Sequence, residues 1–544
     1  MSSEGRPVSV SHSKYLLLLC IAAQLVLLVL LYGQTAGFDY VYFDDSHYVL
    51  SNSHVRSGLS VANVQWAFSS LYMSNWHPLT WISHMLDTTF FGVDPGWAHL
   101  HNAALHGVVS LLLFAYLLRL LGDWWKSLLL SLIFLVHPLH VESVAWIAER
   151  KDVLSAVFFL TGLILYDSYR QKPSWSTAAG VMLSYCLAVM AKPMAVTFPA
   201  VLLVLDLFHY RAGLFGYAGP MLSLRSPWLV RVLEKLPLFA VAALISVLAI
   251  VAQRDGGALV NTEVAPIAVR LANAAYSYAT YLRQMFVPLG LAAFYPLDIP
   301  RAPSQLLLPA LLLLAWITAS FALVKKYPLL LAGLGWYLVM LLPVIGLIQV
   351  GTQLHADRYM YLPSIGVLLA LACLIPARES KYFRVSVLVA PLFILYLAFI
   401  CYWQVAYWEN RHTLFTRVLT AVGPNWRAHV SLAADYTRRG MFDDAAVHAQ
   451  AALEMRPDLA ESYQSLGDIE MRRGEYAAAV EHYSMALQSA PPTGGLLNNL
   501  AMALQEQGQF AAAREALLMA LSLEPNSVHI QANLELLDAR EELP

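Results

Sequence analysis

Charge is scarce in this 544-residue chain: Asp, Glu, Lys and Arg make up 13% of it, where a soluble domain carries about 25%. That deficit excludes a globule solvated by water throughout. Cysteine is scarcer still. The four, Cys20, Cys186, Cys373 and Cys401, all lie in apolar runs and form no CxxC pair. A disulfide framework and a cysteine metal site are excluded, and the four read as small core residues. No P-loop, GxSxG, HExxH or Rossmann fingerprint stands out. An enzyme built on this chain therefore needs an activated substrate delivered from the membrane. The basic residues are too dispersed for a nucleic-acid partner.

What is present is apolar: 58% of the residues are hydrophobic. The remaining charge is uneven. Residues 424–544 hold 8 basic and 17 acidic residues, and the rest of the chain holds 26 and 19. Two bodies with different solvents therefore meet near residue 410. A span needs about 20 mostly apolar residues. Eleven stretches qualify: 15–33, 99–121, 127–147, 152–169, 175–191, 194–210, 236–253, 305–324, 328–349, 360–377 and 385–406. The first reads as a retained signal anchor after a cytoplasmic tail, 1–14. The less apolar 265–287 holds Arg270 and Arg283 and is read as non-spanning. With eleven spans, the basic connections at Arg119/Lys126, Arg170/Lys172, Arg211–Lys235, Lys325/Lys326 and Arg378–Arg384 all fall on the cytoplasmic side. The loop 34–98, the connections 148–151 and 350–359, the segment 254–304 and the C-terminal body then lie outside.

That body repeats every 34 residues. Gly440, Gly474 and Gly508 keep the period, as do Ala445/Ala479/Ala513, Ala452/Ala486/Ala520, Pro457/Pro491/Pro525 and Phe442/Tyr476/Phe510. Small residues let paired helices approach, the aromatic fills the gap and proline ends the second helix. The pattern predicts a tetratricopeptide-repeat (TPR) solenoid over 426–544, after a linker 411–425. Its repeats are 426–459, 460–493 and 494–527, with a capping helix 528–542. The concave face would bind a peptide; a rigid spacer or dimer contact is the alternative. The expected fold is all-α, a multi-span helical bundle (15–410) followed by this solenoid.

Chemistry-bearing residues gather in the outer segments. Asp44 and Asp45 follow the first span closely. Adjacent carboxylates near a bilayer are costly unless used or paired, and one could act as a general base; a solvated turn or helix N-cap is the plainer reading. His77 opens the His77-Pro78-Leu79-Thr80 stretch. His99, Asn102 and His106 share a helix face, and hydrogen bonding inside a bundle is preferred there to a metal. His137, His140 and Glu142 lead to Glu149-Arg150-Lys151-Asp152. Arg150 and Lys151 sit in an outer loop against the positive-inside trend; an anionic headgroup or diphosphate would explain them, as would salt bridges to Glu149 and Asp152. Arg358, in Asp357-Arg358-Tyr359, could grip a phosphate.

These motifs in this order resemble the transmembrane and tetratricopeptide repeat-containing O-mannosyltransferases and their bacterial relatives. The matching residues are Phe43-Asp44-Asp45, His77 to Thr80, His99/Asn102/His106, His137 to Val144, Arg150-Lys151-Asp152 and Asp357 to Pro363. The resemblance implies the C-type glycosyltransferase (GT-C) fold, a catalytic acid in the first outer loop and a polyprenyl-phosphate sugar donor. In the eukaryotic relatives the donor is dolichyl-phosphate mannose and the acceptor a protein Ser or Thr. Three repeats instead of a long array leave the sugar and acceptor open here and look bacterial, which points to an inner membrane.

The expected reaction is one inverting displacement. Asp44 or Asp45 takes the acceptor proton, with Asp45 slightly favoured, and Arg358 with Arg150 or Lys151 offsets charge on the leaving phosphate. His77, His99, Asn102, His137, His140, Glu142, Asp357 and Tyr359 support the pocket. No metal ligand or firm cofactor is assigned, and a divalent cation is left open. The expected partners are the lipid-linked sugar, membrane lipids and an acceptor protein or peptide held by the repeats. A flippase for lipid-linked sugar and a non-catalytic membrane-anchored scaffold are the rival readings.

Overall fold

The computed structural model describes residues 10–212, 227–257, 266–297, 304–348, 351–376, 380–525 and 527–541. The first nine residues of the expected tail lie outside them, as do Arg225 and Arg378 of the basic connections and the ends of two expected spans at 349 and 377. So do residue 542 of the expected cap and parts of the 254–304 and 350–359 connections. The described chain is helical, and its only extended pairing is a bridge between Pro296 and Gln353. It divides into two units, Met1–Asn410 and Arg411–Pro544.

The first unit is apolar on its outside. On Val10–Tyr32, Leu18, Leu19, Val26, Val29 and Leu30 are bare, and on Phe383–Ala406 so are Leu388, Leu392, Leu395 and Phe399. The inside carries polar groups: buried Ser110 donates to Gln24 Oε1 at 2.6 Å and to the Ser131 carbonyl at 3.1 Å. Apolar faces outward and satisfied polar groups inward suit a bilayer as solvent. Among the described residues five helices are long and apolar enough to cross a membrane: Tyr15–Gly37, Pro95–Leu121, Ile147–Gln171, Leu236–Asp255 and Phe383–Ala406. Four of the other expected spans appear as shorter apolar helices, such as Trp175–Ala191 and Pro328–Leu341.

Two expected spans are interrupted. Trp124–Val136 and Pro138–Ala145 meet at a 53° bend, and together they could make a sixth span. Pro138 has no N–H to give, and the residue before a proline is pushed from helical to extended backbone. His137 accordingly sits at φ −74°, ψ 125°. Its Nδ1 accepts from the Leu139 N–H at 3.2 Å and its Nε2 bonds the Met285 carbonyl at 3.0 Å. Within 360–377 the helix is only Ser364–Leu371, 8 residues, about 12 Å long at 1.5 Å per residue, too short to cross. Ile267–Phe286 is amphipathic: Asn273, Ser277, Thr280 and Gln284 are buried while Ile267 and Leu271 are exposed. It packs over the segment leading to Asp357, with Tyr281 Oη donating to the Ala356 carbonyl at 3.0 Å.

Pro328–Leu341 and Ser364–Leu371 touch through glycine. A methyl group on Gly333 would overlap the Gly366 carbonyl, and one on Gly366 would meet the Gly333 carbonyl at 2.5 Å and the Tyr337 nitrogen at 2.8 Å. Both obstacles are backbone. Gly366→Ala is therefore expected to cost about 1–3 kcal/mol of stability, read as a lowered unfolding temperature in lipid nanodiscs. An unchanged temperature would show that the two helices do not meet there.

The second unit stacks helices in antiparallel pairs: Trp426–Arg438 with Phe442–Met455, Ala460–Arg473 with Tyr476–Ser489, and Gly494–Glu506 with Phe510–Leu523, followed by Val528–Glu541. Gly440, Gly474 and Gly508 turn the chain between partners at φ of 76°, 79° and 75°, a left-handed conformation that costs only glycine nothing. The periodic alanines Ala445, Ala479 and Ala513 are fully buried between the helices.

Candidate functional site

The segment after the first helix enters the site through a strained turn. Tyr42, not a glycine, adopts φ 52°, a conformation worth roughly 1–3 kcal/mol of strain and concentrated at functional sites. The two aspartates that follow face different surroundings. Asp45 is fully buried and accepts from the Val41 N–H and the Ala148 N–H, each at 3.1 Å, one on each carboxylate oxygen. Burial pushes its carboxyl up to about 7, against the pull of those hydrogen bonds. Asp44 is only partly covered, and its carboxylate has no hydrogen bond or ion pair among the described residues. Burial raises its pKa, while the charges of Lys151 and Arg358 draw it back. The Asp44 carbonyl accepts the N–H groups of His47 and Tyr48, both at 2.9 Å. Phe43 stacks on Trp146 with ring centres 5.2 Å apart, and the Arg358 guanidinium lies 5.4 Å over the Trp146 ring.

Beside Asp44 lies a cluster of three cations and three carboxylates centred on Glu149. Its Oε1 takes Lys151 Nζ at 3.1 Å and Arg358 Nε at 3.3 Å, and its Oε2 takes Lys192 Nζ at 3.3 Å. Arg358 Nη1 also pairs with Glu142, whose other oxygen accepts the Arg358 N–H at 2.8 Å. Lys192 pairs with Asp152, and Lys151 Nζ reaches Tyr48 Oη at 3.1 Å. Gln353 bonds both Arg358 Nη2, at 3.3 Å, and Tyr359 Oη, at 2.6 Å, holding the guanidinium in plane. The side chains of Lys151, Lys192 and Arg358 keep 12%, 12% and 11% of their surface exposed. An arriving anion can reach them.

Arg150 is different. Its side chain is wholly buried and its donors are taken by Asn102 Oδ1 at 2.7 Å, the Ser83 and Ala98 carbonyls at 3.2 and 2.9 Å, and Asp87. It fastens Pro78–Phe91 to Pro95–Leu121 and offers no donor to a phosphate, so the phosphate-binding expectation for Arg150 is corrected: its neighbours had already claimed the guanidinium. Asp357 accepts from Tyr295 Oη at 3.0 and 3.2 Å. Burial and then the Glu142 charge push its carboxyl well above the usual range. His106 bonds Tyr361 Oη and the Leu135 carbonyl, and His140 bonds the Phe134 carbonyl and Ser364 Oγ. His99 bonds the Asp39 carbonyl at 3.3 Å, and Asn102 Nδ2 donates to the Trp146 carbonyl at 3.0 Å. These side chains tie neighbouring helix ends together. Among the described residues no group of three or more His, Cys, Asp or Glu is disposed to hold a metal ion.

Asp44, Asp45, Lys151, Arg358, Glu142 and Tyr359 thus converge, with Asp357 just behind. The sequence pattern singles out Lys192, before Pro193 at the end of an apolar run, but gives no site role to Glu149, Tyr48 or Trp146. The signal for Glu149 is the pair of cations, Arg150 and Lys151, that follows it.

The architecture is that of a helical membrane protein carrying C-terminal tetratricopeptide repeats. Two family models, each described as tetratricopeptide repeat, match residues 414–492 and 493–523. The curated relatives that the chain matches are O-mannosyltransferases of the TMTC group. Mouse protein O-mannosyl-transferase TMTC3 is 26% identical over 216 residues, 38% of this chain and 23% of that protein. Mouse TMTC2 is 32% identical over 141 residues, 25% of this chain and 17% of its own length. Tmtc1 of Drosophila melanogaster is 29% identical over 174 residues, 31% of this chain and 20% of that protein. The chain therefore spans less than a quarter of the length of these relatives.

Proposed function

We propose that this protein is a membrane glycosyltransferase that moves a hexose, mannose first among the candidates, from a polyprenyl phosphate to a protein hydroxyl on the extracytoplasmic face. The observation that carries the reading is an unpaired carboxylate, Asp44, beside three reachable cations at the outer helix ends. Asp44 takes the proton of the acceptor hydroxyl. The freed oxygen attacks the anomeric carbon, the bond from that carbon to the phosphate oxygen breaks, and the polyprenyl phosphate leaves with the electron pair. Configuration inverts. Lys151, Lys192 and Arg358 stabilise the charge growing on the phosphate. Asp45, with both oxygens engaged, anchors the turn that aims Asp44. The match to relatives named protein O-mannosyl-transferases supports this reading.

The N-terminus is assigned to the cytoplasm of an inner membrane and the repeats to the outer side, where they present the acceptor. Removing residues 411–544 is then expected to lower transfer to protein at least tenfold while hydrolysis of the donor persists. Equal loss of both would place the repeats in assembly instead. The deciding experiment offers purified protein radiolabelled polyprenyl-phosphate mannose or glucose with a proteome extract. Label entering protein supports the assignment and names the sugar. A folded, lipid-binding protein that transfers neither sugar would overturn it.

A further inference from the structure

Among the buried polar atoms of residues 34–98 without a hydrogen-bond partner are Nδ1 and Nε2 of His77, Nε1 of Trp81 and Nε2 of His84. Each such atom normally finds a hydrogen bond, and one left bare costs about 1–3 kcal/mol. His106, His137 and His140 are equally buried, yet both nitrogens of each are bonded to the protein. His77 alone among these four buried imidazoles holds a donor and an acceptor that the fold leaves unused.

The surroundings of His77 are aromatic. Its ring centre lies 5.6 Å from that of Tyr48 and 4.7 Å from that of Trp81, and Tyr48 and Trp81 are 4.7 Å apart. Trp66 lies 5.5 Å beyond Trp81. Flat apolar faces edged by a few fixed polar atoms suit a sugar ring, whose C–H faces are apolar and whose edge is a row of hydroxyls; the three rings are buried and closed on one another, so a sugar enters only as they part. The position also fits. The Tyr48 N–H donates to the Asp44 carbonyl at 2.9 Å, and the Tyr48 hydroxyl meets Lys151 Nζ at 3.1 Å. The aromatic box is thus one side chain away from both the proposed base and the proposed phosphate site. A hexose joined to that phosphate has to lie within this reach. Burial, then the Lys151 charge, hold the His77 imidazole well below its usual pKa. It therefore stays neutral at working pH, with one N–H to donate and one lone pair to accept.

We propose that Tyr48, His77 and Trp81 form the recognition subsite for the sugar ring of the lipid-linked donor, with the two nitrogens of His77 bonding two of its hydroxyls. The proposal rests on the glycosyltransferase reading for the identity of the donor. It makes His77 a specificity-determining residue, not a support for the pocket walls.

The test compares binding of decaprenyl-phosphate mannose and sugar-free decaprenyl phosphate to protein in nanodiscs. Wild type is expected to prefer the sugar-bearing lipid by about tenfold or more, since two hydrogen bonds contribute roughly 1 kcal/mol each. His77→Phe keeps a flat ring but removes both nitrogens, so the preference should collapse to about twofold while the sugar-free lipid binds as before. His77→Gln, which again offers a donor and an acceptor, should recover part of it. Trp81→Phe removes a single N–H and gives a milder loss, and it carries the test if His77→Phe does not fold. Equal binding of the two lipids by wild type, or an unchanged preference in folded His77→Phe or Trp81→Phe, overturns the subsite and leaves buried water as the partner of these atoms. Wild-type transfer to protein is scored in parallel. A protein that discriminates the lipids yet transfers nothing fails as a transferase and keeps the subsite. One that transfers while His77→Phe still discriminates loses only the subsite.

Discussion

Asp44→Asn is expected to lose about 10²–10⁴-fold in sugar transfer, the usual contribution of a positioned general base, while unfolding at the wild-type temperature. The substitution touches a carboxylate with no hydrogen bond or ion pair among the described residues, so little else should change. Asp45→Asn should behave differently. Both Asp45 oxygens accept backbone N–H groups, from Val41 and Ala148, and an amide would turn its NH₂ toward one of them. Rate and unfolding temperature should fall together. The two carboxylates also separate activity from stability in their pH dependence. Transfer needs an ionised base, so the rate should drop as pH falls through an acid limb belonging to the pair as a unit. Stability runs the other way. The Asp45 carboxyl is raised from 3.8 to about 7 in the folded chain. Its contribution to folding is thus fully present below the ordinary aspartate range and is lost as pH rises through about 7. Melting curves across this window should flatten in Asp45→Asn. Full transfer by a folded Asp44→Asn protein would remove Asp44 from the reaction.

Arg358→Ala is expected to cost about 3–5 kcal/mol of stability, the range seen when one partner of a buried ion pair is removed, and to abolish donor binding. The reason is that Glu142 has no other ion-pair partner among the described residues, whereas Glu149 shares this guanidinium with Lys151 and Lys192. Arg358→Lys should recover little. Three separate guanidinium nitrogens serve Glu142, Glu149 and Gln353, and one ammonium cannot reach all three. The combined Arg358→Met/Glu142→Gln variant should regain a good part of the stability without regaining the activity, and a double-mutant cycle measures that coupling. If Arg358→Ala unfolded like wild type, Glu142 would be paired elsewhere and its ion pair with Arg358 would be wrong. If the double variant regained transfer, Arg358 would have no part in holding the phosphate.

Much of this was legible beforehand because it is periodic or cumulative. The 34-residue repeat needs only local identities: glycine where φ is positive, alanine where two helices touch. The apolar runs needed only a count of consecutive residues. The bend at His137-Pro138 follows from proline's missing N–H, yet hydropathy alone ran a span straight through it. The short helix Ser364–Leu371 was hidden in the same way, since an apolar run reports lipid or core solvent but not where a helix ends.

The site was legible as a set of residues and illegible as roles. Composition and order determined an all-helical membrane unit, a repeat solenoid, and a collection of carboxylates, cations and histidines near the helix ends. Tertiary structure alone decided which neighbour does what. Asp44 and Asp45 are identical in sequence terms, and a left-handed turn at Tyr42 together with an N–H 103 residues away at Ala148 sends one inward and leaves the other open. Arg150 and Lys151 are adjacent basic residues, yet one is buried among four protein partners and the other joins the partly exposed cluster around Glu149. The physical reason is common to both pairs. Successive side chains leave the backbone in different directions, and a charge becomes available or spent according to partners that folding brings from far along the chain.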